Sequence, residues 1–122
     1  MSVYQFKQND YLLSTDKNLL QTDVIHAFLA AQSYWAKDIP KSVVEKSIDA
    51  SLCFGIYHND EQVGFARVIS DYATFAYLCD VFITEEHRGK GLSKWMMEKI
   101  MEHPDLQNLR RFTLGTRDAH EL

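Results

Sequence analysis

Residues 80–101 read DVFITEEHRGKGLSKWMMEKIM, and this stretch determines how the rest of the chain is organised. It begins with apolar residues of strand type, Val81, Phe82 and Ile83, and a polar segment from Thr84 to His87 then ends the strand. From Leu92 onward a mostly apolar pattern recurs at the spacing of a helix, formed by Leu92, Trp95, Met96, Lys99 and Ile100. The stretch therefore predicts a strand, a turn with two glycines and an amphipathic helix.

The two glycines stand where the helix begins. Glycine lets the backbone approach a ligand closely and adopt positive φ angles. The first turn of a helix also has amide hydrogens without partners, and the helix dipole adds positive potential there, which together favour a bound phosphate. Cations at this end oppose the dipole and lower stability unless an anion binds. Arg88, Lys90 and Lys94 are cations of this kind. We therefore predict a phosphate site formed by Arg88, Gly89, Lys90, Gly91, Leu92 and Ser93.

Two familiar phosphate loops do not match this turn. The Walker A loop needs G-x-x-x-x-G-K-[ST], and neither its spacing nor its Lys-Ser/Thr pair occurs here. The dinucleotide-binding fingerprint needs a third glycine, which does not follow Gly91. A plain strand-turn-helix whose basic residues face solvent is the alternative interpretation.

The RGKGLS segment, residues 88–93, resembles the R-x-x-G-x-[GA] motif of the GNAT superfamily of N-acetyltransferases, with Ser93 at the last small position. The resemblance extends from about Tyr11 to Leu122 and includes the segments SYWA, GFARV and DYATFAYL. It implies an α+β, GNAT-like acyl-CoA N-acyltransferase fold with a largely antiparallel central sheet and helices on both faces.

The size and composition agree with one domain spanning residues 1–122. With 17 acids against 13 bases, the net charge of −4 argues against nucleic acid as a partner. The sequence has neither a long apolar run nor the apolar core of a signal peptide, so we predict a cytoplasmic protein with no membrane partner. Cys53 and Cys79 lie in apolar runs and are expected to be buried thiols. The histidines show no metal-ligand spacing, so no metal is expected.

The remaining elements follow from periodicity and turn residues. Residues up to Asp10 are polar and expected to be loose, and Tyr11 to Thr15 is a candidate first strand. Helices are predicted from Asp23 to Tyr34 and after Pro40. An antiparallel meander is predicted from three further strands, Ser51 to Tyr57, Gln62 to Ser70 and Thr74 to Ile83, and a fifth strand from Arg111 to Gly115.

The sequence stops at Leu122, where a helix starting at Thr116 or Asp118 has barely begun. The resemblance implies that this helix, with a tyrosine that acts as general acid, and two more strands would complete the fold. The C-terminal strands are therefore expected to be missing, with Trp95 and Met96 less covered than usual. An open edge on the strand from Arg111 invites pairing with a second copy, so a homodimer is a further expectation.

The resemblance also implies acetyl-CoA as the co-substrate. Its pyrophosphate would lie on the amides of Gly89 to Ser93, and Arg88 and Lys90 would lie nearby. Its pantetheine arm would lie beside Val81, Phe82 and Ile83, on a strand that the family usually bulges and splays from its neighbour. The acetyl group would pass to the primary amine of a small-molecule or peptide acceptor.

Proton removal from the amine needs a general base, and Asp80 is the candidate because a carboxylate inside YLCDVFI is costly to bury. The alternative is that Asp80 pairs with an arginine such as Arg67 and orders the sheet. The resemblance implies that the link between the first two helices forms the acceptor pocket, so Tyr34 and Trp35 are candidates to line it. The alternative is that they are packing residues. Tyr72 and Tyr77 are further candidates for that pocket.

Two other functions remain open from the sequence. One is a non-catalytic acyl-CoA-binding or regulatory module that keeps the phosphate site. The other is a regulator that binds a nucleotide or another phosphate ligand at the same helix start.

Overall fold

The fold is built on one six-stranded sheet, seen in a computed structural model that describes residues 2–114. The strands lie side by side in chain order: β1 Gln5–Gln8, β2 Tyr11–Ser14, β3 Leu52–His58, β4 Glu61–Ser70, β5 Phe75–Ile83 and β6 Arg111–Leu114. Neighbours from β1 to β5 are antiparallel, and β6 runs parallel to β5. The predicted α+β fold with a largely antiparallel sheet is confirmed.

Three helices accompany the sheet. They are α1 Thr22–Ala27, which continues as a π-helical turn over Phe28–Gln32, α2 Lys41–Asp49 and α3 Leu92–Glu102. Short 3-10 turns occur at Lys17–Leu19, Glu85–His87 and Pro104–Leu106. The first helix therefore ends before Tyr34, and the aromatic pair predicted at its end lies in the link to α2.

The helices cover both faces of the sheet, as predicted. On one face α3 packs on the sheet through Leu92, Trp95, Met96 and Ile100. On the other face residues of α1, the π-helical turn and α2 pack on Cys53, Phe65 and Phe82. The expected poor coverage of α3 is wrong, because Trp95 is only 6% exposed and Met96 is fully buried.

The N-terminal segment is a strand, which corrects the expectation that residues up to Asp10 are loose. Gln5 pairs with Ser14 and Gln8 with Tyr11 in a tight hairpin whose turn places Asn9 at a φ of 55°. Phe6 is the only apolar residue of β1, so the segment lacks the alternation by which a strand is recognised. The strand from Arg111 is consequently the sixth rather than the fifth.

Strand β6 is the last strand of the sheet among the described residues, and its pairing with β5 runs from Phe75 to Leu78. Gly115 and the helix predicted from Thr116 or Asp118 lie outside the described residues. Association of two copies through this strand stays a prediction.

Both cysteines are buried thiols, as expected. Burial raises the pKa of the Cys53 thiol to about 12, which keeps it protonated at neutral pH. In the part of the chain from 2 to 114, no helix has the length and apolarity needed to cross a membrane.

Candidate functional site

A cleft of about 320 Å³ lies where the end of β5, the start of α3 and the α1–α2 link meet. The same cleft receives all three segments that the sequence singled out: the end of the strand, the glycine turn and the aromatic pair. Its lining consists of Phe28, Gln32, Tyr34, Trp35, Val81, Phe82, Ile83, His87, Arg88, Gly89, Gly91, Leu92 and Ser93.

The glycine turn has the geometry expected of a phosphate loop. Gly89 and Gly91 have φ angles of 76° and 77°, which non-glycine residues rarely adopt. A Cβ added at either position would meet no atom within 4 Å, so the backbone there faces open space. Gly91 is the N-cap of α3 and no side chain caps the helix. The amides of the first turn are therefore accessible to an anion.

The basic residues of the turn differ in their placement. Arg88 lines the cleft, and its Nε donates a hydrogen bond of 2.9 Å to the carbonyl oxygen of Ile83. This bond fixes the base of the arginine side chain to the end of β5. Lys90 is exposed and does not line the cleft, so it adds positive charge from the rim.

Strand β5 contains the β-bulge that the resemblance implied. Phe65 pairs with Phe82 and Arg67 pairs with Cys79, so three steps along β5 oppose two steps along β4. The extra residue is Asp80, whose φ is 54°. Beyond the bulge, Val81, Phe82 and Ile83 reach the cleft. The described part of β6 pairs with β5 only as far as Leu78, which leaves this end of β5 beside the cleft.

Asp80 is held by two hydrogen-bond donors. One carboxylate oxygen lies 2.9 Å from Nε of Arg67, and the other accepts a 2.9 Å hydrogen bond from the indole Nε1 of Trp35. The side chains of Arg67 and Asp80 are 16% and 13% exposed, so this ion pair is largely buried. Arg67 also donates to the hydroxyl of Ser51 at 3.0 Å. The ion pair named as the alternative role of Asp80 is therefore present, and its role as general base stays a prediction.

Part of the cleft wall is an aromatic corner formed by Phe28, Tyr34, Trp35 and Phe82. Tyr34 meets Trp35 edge to face with 5.1 Å between ring centroids. Phe28 stacks on Phe82 at 4.0 Å and lies 6.5 Å from Trp35. Tyr34 and Trp35 line the cleft as predicted. Phe28 falls within the helix predicted from Asp23 to Tyr34, and helical periodicity does not distinguish a residue of a cleft wall from a residue of the core.

The other two tyrosines lie elsewhere. Tyr72 follows β4 in a turn, at a φ of 62°, and lines a second cavity together with Lys17 and Asp49. Tyr77 lies on β5 opposite Ile69 and Thr113. The structure does not bring either residue into the lining of the cleft that holds Tyr34 and Trp35.

His87 lines the cleft, although nothing in the sequence marked it as a site residue. The residue ends the 3-10 turn before Arg88 and has its Nδ1 atom 2.8 Å from the hydroxyl of Tyr11. The ring of His58 lies 5.1 Å from that of His87 and 5.0 Å from that of Tyr11. Since 76 residues separate Tyr11 from His87, only the folded sheet reveals that β2 supports the glycine turn.

No metal chemistry is indicated by the described side chains. Within residues 2–114, no three histidine, cysteine, aspartate or glutamate residues are grouped so that they could hold a metal ion.

The bulged strand, the open glycine turn and the helix after it define a GNAT-like acyltransferase fold. The sequence profile of the Acetyltransferase (GNAT) family matches residues 21–121, and the chain belongs to this family.

Individual proteins agree with this assignment. The chain is 37% identical to a candidate acetyltransferase of Gibberella zeae, over 94% of this chain and 76% of that protein. A solved structure from Xanthomonas campestris pv. campestris, described as belonging to the GNAT family, is 58% identical with a TM-score of 0.87, over 90% of this chain and 78% of that one. The protein SA2161 of meticillin-resistant Staphylococcus aureus shares the fold at 18% identity, with a TM-score of 0.70 over 89% of this chain and 82% of that one.

Proposed function

We propose that this protein is an N-acetyltransferase that uses acetyl-CoA to acetylate a primary amine of a small-molecule or peptide acceptor. The observation that carries the proposal is the open glycine turn at the uncapped start of α3, next to the bulged end of β5. Family membership supports acetyl transfer, and the acceptor class goes beyond it.

The residues of the cleft fit the chemistry of coenzyme A. The backbone from Gly89 to Ser93 would hold the pyrophosphate, since both glycines leave open space above their backbone and the helix start lacks a side-chain cap. Arg88 would add a fixed positive charge and Lys90 a mobile one at the rim. The end of β5, from Val81 to Ile83, would pair with the amide groups of the pantetheine arm in the manner of an added strand.

Acetyl-CoA supplies the acetyl group as a thioester, whose carbonyl carbon is open to attack by an unprotonated amine. The C–N bond would form as the C–S bond breaks, and CoA would leave as a thiolate that takes up a proton. A backbone amide of this strand would donate a hydrogen bond to the oxygen on which charge develops. Removal of the ammonium proton is the role predicted for Asp80. The observed contacts favour a positioning role instead, because both carboxylate oxygens already accept hydrogen bonds.

Two measurements test the proposal. Calorimetry should detect CoA binding and a much weaker interaction with ATP, which has phosphates but no pantetheine arm. Incubation with acetyl-CoA and a panel of primary amines should release free CoA in an amine-dependent manner. Absence of CoA binding would overturn the proposal, and binding without any amine-dependent turnover would favour the non-catalytic acyl-CoA-binding module.

A further inference from the structure

The acceptor side of the cleft contains flat aromatic surfaces and one amide, and this composition points to a class of acceptor. The wall consists of Phe28, Gln32, Tyr34 and Trp35. We infer that the acceptor is a small primary amine carried on an aromatic group, and that Asp80 is a positioning residue that holds Trp35 for it. This inference rests on the proposed function.

Charge is the first argument. Among the described residues that line the cleft, Arg88 at the phosphate end is the only lysine, arginine, aspartate or glutamate. A polycationic acceptor would lose its hydration without gaining carboxylate partners, which is unfavourable. A single ammonium group, in contrast, is attracted to the face of an aromatic ring. The described lining therefore favours an acceptor with one charge and an apolar body.

Ring geometry is the second argument. Aromatic groups pair edge to face or offset-stacked, with centroids 4.5–7 Å apart. The corner already contains such contacts, Tyr34 with Trp35 at 5.1 Å and Phe28 with Trp35 at 6.5 Å. A further ring from the acceptor would extend this arrangement. A flexible alkyl chain would make weaker contacts with these rings, because it has no ring to stack on them.

Trp35 is held in place by a residue that does not line the cleft. Its Nε1 donates to Asp80 at 2.9 Å, and Asp80 is fixed by Arg67 and by its place in the β5 bulge. Asp80 itself does not line the cleft. The carboxylate therefore reaches the acceptor only through the indole, and its charge is balanced by the guanidinium. A fixed wall loses little entropy when a ligand binds.

The acceptor class can be measured without turnover. The chain has two tryptophans, so the substitution Trp95→Phe leaves Trp35 as the only indole. With CoA at saturation, Trp35 emission is titrated with 2-phenylethylamine, n-hexylamine and spermidine. We expect the dissociation constant of 2-phenylethylamine to be at least tenfold lower than that of spermidine, with n-hexylamine between them. Equal or tighter binding of spermidine, or no response of Trp35 to any amine, would overturn the inference.

Because Trp95 is buried in the core, Trp95→Phe can change the packing of the protein. The wild-type protein therefore supplies an independent measurement. Its kcat/KM should follow the same order of amines. A lysine-containing peptide that is acetylated faster than 2-phenylethylamine would contradict the inference. Calorimetry distinguishes failure of the proposed function from failure of the acceptor class alone. Loss of CoA binding would defeat the proposed function, whereas intact CoA binding with a preference for polycations would defeat only the acceptor class.

The role of Asp80 is tested by Asp80→Asn, which can still accept the indole hydrogen bond but cannot act as a base. A positioning residue predicts that the pH profile of kcat is unchanged and that any loss appears in the KM for 2-phenylethylamine. A general base predicts a loss in kcat of about a hundred- to ten-thousandfold. Trp35→Phe, which removes the same hydrogen bond without touching the ion pair, should raise the KM for the amine and leave the dissociation constant of CoA unchanged. An unaltered KM in Trp35→Phe would refute the positioning role even if Asp80→Asn fails to fold.

Discussion

The hydroxyl of Tyr11 lies 2.8 Å from Nδ1 of His87, and this contact joins the second strand to the segment that precedes the glycine turn. The glycines themselves are conformationally permissive, so the position of the turn depends on the residues on either side of it. On one side α3 packs into the core through Leu92, and on the other side His87 is fixed by β2. Tyr11 therefore supports the proposed phosphate site, which its own side chain does not line.

Tyr11→Phe should weaken the binding of CoA. The substitution removes one hydrogen bond, worth about 1 kcal/mol, and keeps the ring packed on His58. We expect CoA to bind about fivefold more weakly. Calorimetry should be run with CoA and with pantetheine, which lacks the pyrophosphate. Since the turn is proposed to contact the pyrophosphate, an equal loss of affinity for pantetheine would contradict the assignment.

Gly91→Glu should reduce CoA binding more severely. The position has a φ of 77° at the start of α3, so the substitution adds backbone strain and a negative charge where the phosphates belong. We expect a loss of a hundredfold or more, on the order of 3 kcal/mol. Gly91→Asn is the matched control, because asparagine tolerates this conformation and carries no charge. If both variants bind CoA like the wild type, the turn is not the phosphate site.

Arg67→Met should destabilise the fold by about 3–5 kcal/mol, because it leaves the Asp80 carboxylate buried without its ionic partner. Chemical denaturation measures the change in the free energy of unfolding. The double variant Arg67→Met with Asp80→Asn removes the uncompensated charge and should recover a large part of the loss. If the double variant is less stable than Arg67→Met alone, the contribution of Arg67 to the free energy of unfolding does not come from the ion pair.

Stability should fall as the pH decreases through the titration of His103. This side chain is only 3% exposed, its Nδ1 accepts a hydrogen bond from the amide of Asp105, and burial lowers its pKa below the ordinary value of about 6.5. A histidine whose folded-state pKa is lowered is protonated more readily in the unfolded chain. Its contribution is therefore complete above pH 6.5 and is lost as the pH falls below it.

The measurement is the free energy of unfolding between pH 8 and pH 5, compared with that of His103→Asn. Asparagine can accept the same hydrogen bond and does not titrate in this range. The wild type should lose more stability than the variant across this interval. Parallel curves for the two proteins would assign the pH dependence to other groups.

The sequence predicted the elements whose signal is local. The strand from Val81 to Ile83, the glycine turn and α3 follow from apolar period and from glycine at a helix start, and the structure has each of them. Strand β1 was missed because only Phe6 is apolar in it and its pairing with β2 supplies its hydrogen bonds. A strand whose two faces are both polar is difficult to recognise from its residue types, because backbone pairing does not require particular side chains.

The site could be predicted only in part, because some of its contacts join segments that are distant in the sequence. Tyr34 and Trp35 were predicted because the family resemblance implies an acceptor pocket at the link between the first two helices, whereas Phe28 could not be distinguished from core residues of its helix. The partner of Asp80 could be suggested from neighbouring strands, but its second contact, with Trp35, spans 45 residues and depends on how the α1–α2 link folds over the sheet. Contacts between distant segments cannot be predicted from periodicity.

The extra residue at Asp80 reverses the inside-outside order of β5 halfway along the strand. Before it, the even-numbered Ala76 and Leu78 belong to the cluster beneath α3; after it, the odd-numbered Val81 and Ile83 do. Deleting Asp80 would remove the bulge and leave a single alternation, in which Val81 and Ile83 stay beneath α3 and Phe82 stays on the face of Phe28, its stacking partner. A one-residue gap at this position would therefore mark a relative that keeps the core face of β5 and lacks the bulge beside the cleft.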